Sequence, residues 1–147
     1  MKKVLSSLMV IGIFSLAQAA FAQIGYVDYS YISKNYPLAQ KYSQTLKNKS
    51  QSIRTYAKQK DDQVAKAKTA AEKEKIRKEG ISQVQLKQKE YSSLRTRYEN
   101  ELNSKVQAAA EKVRVQKKLD AIIKADARVT GGVDCTSAVL TVLKQQP

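Results

Sequence analysis

Apolar residues recur at steps of four and three between Leu38 and Lys118, in two stretches. The first includes lysines at two of its positions: Tyr42, Leu46, Lys49, Ile53, Tyr56, Lys60, Val64, Ala67 and Ala71. The second runs through Ile81, Val84, Tyr91, Leu94, Tyr98, Leu102, Val106, Ala109 and Val113. This spacing is typical of a narrow coiled-coil seam rather than the broad apolar stripe of a globular helix. The segment lacks proline, contains one glycine and is rich in strong helix formers, so it is predicted to be helical.

A single helix over this whole segment would be about 120 Å long, so we expect the chain to fold back on itself. Thr69 and Glu72 have the spacing of a capping box, which marks the start of a second helix. Gly80 is the competing break. We favour a turn near residues 68–72, which predicts a thin antiparallel hairpin about 45–65 Å long.

The flanking segments predict a small β body. Residues 24–29 are predicted to form a strand, and Ser30 is expected to cap a brief helical turn through residue 35. Pro37 suits the first turn of the next helix. Residues 119–124 and 127–130 are interpreted as two strands, followed by the flexible pair 131–132. Asp134 is expected to cap a last helix over residues 135–145. The predicted fold is therefore α+β, mostly α, with a hairpin (38–118) projecting from a body (23–37 and 119–147).

The N-terminus has the features of a secretory signal peptide. Lys2 and Lys3 precede an apolar run, and Ala20-Phe21-Ala22 provides small residues at both recognition positions. This pattern predicts a signal peptide over residues 1–22, cleaved between Ala22 and Gln23. Export would separate the protein from ATP, most cofactors and chromosomal DNA. The remaining chain, 23–147, is long enough for one domain.

Positive charge is concentrated in the helical middle. Residues 34–118 hold 22 basic and 9 acidic residues, a net charge of +13, whereas the flanking parts of the predicted mature chain hold 3 basic and 4 acidic residues. Such a field bears on partners and association rate rather than on fold. The chain has no histidine and one cysteine, Cys135. An intramolecular disulfide is therefore impossible, and Cys135 is either buried or free to pair between chains. We expect no enzyme activity, cofactor or zinc site.

The predicted body is too small to be stable by itself. Its strands and last helix total about 45 residues, and cores near that size usually need disulfides, metals or association between chains. Association is the remaining route for this chain. The exposed edges of a two- or three-stranded sheet could pair with neighbouring copies.

In this order of elements the chain resembles the Skp/OmpH family of periplasmic chaperones of outer-membrane proteins. The resemblance covers nearly all of the predicted mature chain. It is carried by residues 24–28, the Lys/Gln/Glu-rich middle, residues 119–123 and residues 134–145. It implies a periplasmic homotrimer whose helical arms surround a cavity that holds unfolded outer-membrane proteins without ATP. The hairpin here is shorter than expected for the family. Contact with the membrane surface or lipopolysaccharide is also associated with the family, but no defined motif for it is present.

The candidate client-binding residues are basic and tyrosine side chains of the hairpin, since cationic arms would attract acidic precursors and offer weak apolar contacts. They are Lys58, Lys60, Lys66, Lys68, Lys73, Lys75, Arg77, Lys78, Lys87, Lys89, Arg95, Arg97, Tyr56, Tyr91 and Tyr98. Alternatively, the lysines form a solvated face and the seam residues only hold the two arms together. Two other functions remain open: a structural coiled-coil protein of the cell envelope, and a basic nucleic-acid-binding protein.

Overall fold

The computed structural model describes residues 22–145. Most of this part is helical. The elements in chain order are β1 (Ile24–Val27), α1 (Tyr29–Asn35), α2 (Pro37–Lys66), α3 (Ala70–Gln116), β2 (Ala121–Lys124), a 3₁₀ turn (Ala125–Ala127), β3 (Val133–Asp134) and α4 (Thr136–Lys144). Residues 1–21 of the predicted signal peptide, including Ala20 of its cleavage motif, lie outside the described residues. Ala22, its last residue, is described.

The first helix is capped by a different residue from the one predicted. The side chain of Asp28 accepts a hydrogen bond from the Tyr31 backbone N–H at 3.0 Å. Ser30 lies inside the first turn of α1, so the prediction that it caps the helix is wrong. Asp28 directly follows β1 and still has extended backbone geometry, which places its carboxylate over the free N–H groups of the first turn. Pro37 begins α2, as predicted.

The break between α2 and α3 lies at the predicted capping box. Thr69 accepts a hydrogen bond from the Glu72 backbone N–H at 3.2 Å. The Glu72 carboxylate reaches back to the backbone N–H of Lys68, at 3.3 Å, rather than to that of Thr69. The alternative break at Gly80 is wrong, since that residue lies inside α3 and is buried. The cap decides the position because it supplies acceptors for N–H groups that a helix start leaves free.

Helices α2 and α3 run antiparallel and contact each other along their length. The rings of Tyr42 and Tyr98 stack with centroids 3.8 Å apart. Further along, Lys49 Nζ lies 2.9 Å from Glu90 Oε2, and Lys60 Nζ lies 3.2 Å from Glu79 Oε1. Residues later in α2 thus contact residues earlier in α3, as the antiparallel arrangement requires. We refer to these two helices as the helix pair.

The seam of the helix pair, meaning the residues that face the opposite helix, agrees with the predicted spacing in α2. Every predicted position from Tyr42 to Val64 in α2 is half-buried, and so is Ala67, which directly follows the helix. Ala71, the last position predicted for this stretch, lies in α3 and is exposed, so its assignment to the seam is wrong. The spacing in α3 is different near its start. Ile81 is 59% exposed and lies outside the seam, whereas its neighbour Gly80 is buried. The half-buried α3 positions before Tyr91 are Lys73, Ile76, Val84 and Lys87. The seam in this part of α3 is therefore less apolar than predicted.

The three strands form one parallel sheet in the order β2-β1-β3. Folding of the helix pair brings the two ends of the domain together, as predicted, and Gly25 of β1 lies between Ile122 of β2 and Val133 of β3. The prediction of a strand over residues 127–130 is wrong. A 3₁₀ turn starts this segment, and the chain reaches β3 only after Gly131 and Gly132, which have φ of 72° and 88°. Glycine tolerates this left-handed geometry, which lets the loop pass from one sheet edge to the other.

The core lies where the sheet, α1, the last part of α3 and α4 meet. Its largest fully buried side chains are Val27, Ile32, Val106, Val113, Cys135, Val139 and Leu143. Helix α4 begins at Thr136, one residue later than predicted. The Asp134 carboxylate accepts from the Thr136 N–H at 2.8 Å, so Asp134 does bind the helix start although Cys135 occupies the cap position. The hydrogen bond from Thr136 lowers the pKa of Asp134.

Candidate functional site

The candidate surface is the solvent-facing side of the helix pair. Nine of the predicted client-binding residues are exposed there: Lys58, Lys66, Lys68, Lys75, Arg77, Lys78, Lys89, Arg95 and Arg97. Six others are half-buried: Lys60, Lys73, Lys87, Tyr56, Tyr91 and Tyr98. The helical fold therefore divides the predicted residues into an exposed basic set and a set that faces the seam.

Ion pairs neutralise only part of the exposed basic set. Lys78 lies 3.5 Å from Glu74, and Arg95 lies 2.7 Å from Glu99, both within α3. Within the described residues, no carboxylate lies within 4.0 Å of the charged groups of Lys66, Lys68, Lys73, Lys75 or Arg77. Residues 66–78 contain six basic and two acidic residues. The connected end of the helix pair therefore carries a marked excess of positive charge.

The acidic residues of α3 are used partly to join the two helices. Lys49 donates a hydrogen bond to Glu90, and this bond together with the positive charge of Lys49 lowers the pKa of Glu90. The Lys60–Glu79 contact is similar in geometry, and the Lys60 side chain is only 17% exposed. These lysines act across the seam, so their charge is less available to a partner than that of the exposed set.

Tyr56 is held between two of the predicted basic residues. The Nζ atoms of Lys60 and Lys87 lie 5.7 Å and 5.2 Å from its ring centroid. Both distances fall within the range in which a cation is attracted to an aromatic face. The three side chains form a cluster inside the helix pair, which agrees with the interpretation that seam residues hold the arms together.

Tyr98 also packs in the seam. Its ring stacks on Tyr42 with an interplanar angle of 0°. Burial, together with the nearby Glu101 carboxylate, raises the pKa of Tyr42 to about 12. The Tyr42 hydroxyl therefore remains neutral at physiological pH, and the stacked pair fixes the end of the seam nearest the body.

A groove that the sequence did not predict lies beside the seam. It has a volume of about 410 Å³ and is lined by Ala57, Lys60, Asp61, Val64, Arg77, Gly80, Ile81, Val84 and Gln85. Gly80 is one of these lining residues and is itself buried. The only sequence signal for it was the glycine itself, interpreted as a possible break. The four-three spacing predicts that the neighbouring Ile81 faces α2, whereas it is exposed.

Cys135 is a core residue of the body. The Cys135 side chain is fully buried, and burial raises the pKa of its thiol. This agrees with the interpretation of Cys135 as a small core residue. Between residues 22 and 145, no group of three or more His, Cys, Asp or Glu side chains is placed to hold a metal ion.

None of the helices in this same range is both long and apolar enough to cross a membrane. A scan of the chain against protein-family models finds no match, and a search of curated proteins finds none either.

Proposed function

We propose that the protein is an exported holding chaperone that binds unfolded outer-membrane proteins between basic helical arms. In this proposal the helix pair is an arm, a hairpin projecting from the body, and the exposed basic set meets the client. Clients are held without nucleotide or chemical catalysis and are released to a better acceptor in the membrane. The observation that carries the proposal is the positive charge at the connected end of the helix pair, where five basic residues have no carboxylate of the described part of the chain within ion-pair distance.

Electrostatic attraction and multivalency supply the proposed mechanism. Exposed charges act over about 10 Å at 0.1 M salt, so an acidic precursor is drawn in before it touches the arm. Each contact with an arm is weak. Several arms acting on one client make later contacts intramolecular, which increases the overall affinity without any strong individual site.

The proposal includes a homotrimer with its sheets at the centre. Two features support self-association. The body core is small for an independent domain, and in the described residues 22–145 β2 lies at an edge of the sheet and pairs with β1 alone. Light scattering of the chain from Gln23 onward should give three times the monomer mass. Replacing Ile123 of the edge strand with lysine should shift the mass toward the monomer, and a monomeric unsubstituted chain would contradict this part.

The holding activity is tested by diluting a urea-unfolded outer-membrane β-barrel protein from urea into buffer with the purified chain. Light scattering should remain low without nucleotide and rise as salt is added. Replacing Lys66, Lys68, Lys73, Lys75, Arg77 and Lys78 with glutamine should slow capture. The matched control exchanges each of these lysines for arginine and Arg77 for lysine, which keeps the charge and should keep capture fast.

Other outcomes would support the rival functions. Aggregation that proceeds equally with and without the chain overturns the chaperone proposal. Firm fractionation with the cell wall or membrane would then favour a structural envelope protein. Salt-sensitive DNA binding by a protein found in the cytoplasm would favour the nucleic-acid hypothesis.

A further inference from the structure

The two sides of the helix pair differ in chemistry near its connected end. An α-helix turns by about 100° per residue, so a line from Tyr56 to Lys60 divides the surface of α2 into two sides. Each side lines a different groove. On one side is the groove described above, which we call the apolar groove. On the other side is a cleft lined by Asn48, Gln51, Ser52, Thr55, Tyr56, Gln59 and Lys87, mostly amide and hydroxyl groups.

The walls of the apolar groove are suited to aliphatic side chains. Ala57 and Val64 come from α2, and Ile81 and Val84 come from α3. Its volume of about 410 Å³ falls within the ~300–1,000 Å³ typical of ligand sites. Ile81 is 59% exposed at this point, so its apolar surface is available to a partner.

The charge around the groove favours an acidic occupant. Arg77 lines the groove and has no carboxylate within 4.0 Å among the described residues. Asp61 is the acidic residue of the lining, but the adjoining residues 66–78 carry a net charge of +4. The groove therefore combines apolar walls with a positive field on the side of the connected end, while Asp61, Asp62 and Glu79 offset part of the charge nearer the groove.

From these observations we infer that the apolar groove is the place where the arm holds its client. The occupant is an extended, unfolded polypeptide segment with alternating aliphatic side chains and neighbouring acidic residues. Its aliphatic side chains pack against Val64, Ile81 and Val84, while its carboxylates lie near Arg77. The inference rests on the proposed function, and it assigns the client-facing side of the helix pair. The polar cleft then faces away from the client.

Matched crosslinking sites test this assignment. Gln85 lines the apolar groove, Gln59 lines the polar cleft, and both are exposed glutamines. Each is changed to cysteine and labelled with benzophenone maleimide, with the unsubstituted chain, whose Cys135 is buried, as background. The probe is a synthetic peptide of alternating leucine and threonine with glutamates at both ends. Illumination should crosslink it several-fold more through Gln85→Cys than through Gln59→Cys. Equal yields, or a preference for position 59, would overturn the assignment.

A second pair of variants measures affinity. Ile81 and Leu86 are both exposed on α3, at 59% and 52%, but only Ile81 lines the groove. Ile81→Gln should weaken binding of the same peptide about tenfold, the effect of losing part of one buried aliphatic side chain. Leu86→Gln should leave it unchanged. Equal effects of the two substitutions, or none from Ile81→Gln, would contradict the inference.

The failure of this inference and the failure of the chaperone proposal give different results. If the unsubstituted chain prevents barrel aggregation but the peptide shows no preference for the groove, the client is held elsewhere. If the peptide labels Gln85→Cys but aggregation is not prevented, the groove is a peptide site and the holding function is wrong.

Discussion

The aliphatic stem of Lys60 in α2 lies against Gly80 in α3, near the connected end of the two helices. A Cβ atom placed on Gly80 would be 3.3 Å from both Cβ and Cγ of Lys60. The Lys60 ammonium continues past this contact to Glu79. Gly80 therefore allows a lysine to occupy a seam position without separating the helices. Close approach, rather than a turn, explains this glycine in the middle of a helix.

This contact predicts coupling between the two residues. Gly80→Ala should gain up to about 1 kcal/mol of helix propensity, but crowding of the Lys60 stem should cancel much of the gain. Lys60→Ala removes Cγ and the rest of the stem but keeps the Cβ atom, so in this background more of the gain should appear, for a coupling of about 0.5 kcal/mol. Urea unfolding followed by circular dichroism at fixed protein concentration measures it. Ser82→Ala, an exposed neighbour in α3, is the control and should be additive with Lys60→Ala. Additive behaviour of Gly80→Ala would disprove the coupling.

The cap at the start of α3 should contribute measurably to stability. Thr69→Ala removes the acceptor of the Glu72 N–H and should lower the free energy of unfolding by about 1 kcal/mol. Hydrogen exchange of the amides of residues 70–73 should accelerate more than exchange in the body. Thr69→Asn retains a side-chain acceptor and should behave like the unsubstituted chain. Uniform acceleration in the helix pair and body would show that the cap has no local effect.

Alkaline pH should destabilise the fold through Tyr42. Its pKa is about 12 in the folded chain, against about 10 for an unfolded tyrosine. The folded state therefore holds this proton more tightly, so its contribution to stability is complete below pH 10 and is lost as the pH rises towards 12. Thermal unfolding measured between pH 8 and pH 12 should show a smaller fall for Tyr42→Phe than for the unsubstituted chain. The values between pH 8 and 9 serve as the internal reference, and parallel curves would contradict the assignment to Tyr42.

Packing around the first strand should not tolerate even one added methyl group. A Cβ atom on Gly25 would lie 2.8 Å from Cys135 Sγ and 2.8 Å from Leu119 Cδ1. Gly25→Ala should therefore reduce the free energy of unfolding by about 3 kcal/mol. The control is Gly131→Ala. The left-handed backbone there would strain an alanine, but no atom lies within 4 Å of the new Cβ. It should cost about 1 kcal/mol, and a larger loss there than at Gly25 would contradict the packing argument.

The sequence by itself determined the features that depend on neighbours along the chain. The four-three spacing of apolar residues identified the seam of α2, since helical geometry fixes which side chains share a face. Thr69 and Glu72 located the break, since a cap involves residues only three apart. Pro37 marked the start of α2 for the same reason. The concentration of basic residues in 34–118 was also evident from the sequence.

Only the tertiary structure decided the features that depend on partners far along the chain. Gly80 rather than Ile81 faces α2 because the stem of Lys60, a residue of α2, packs at this position. β3 forms at Val133–Asp134 because the loop must carry the chain to the free edge of β1, on the other side from β2. The division of the basic residues into exposed and seam-facing sets likewise requires the register of the two helices. Local propensity cannot encode such contacts, because their energy appears only when distant segments meet.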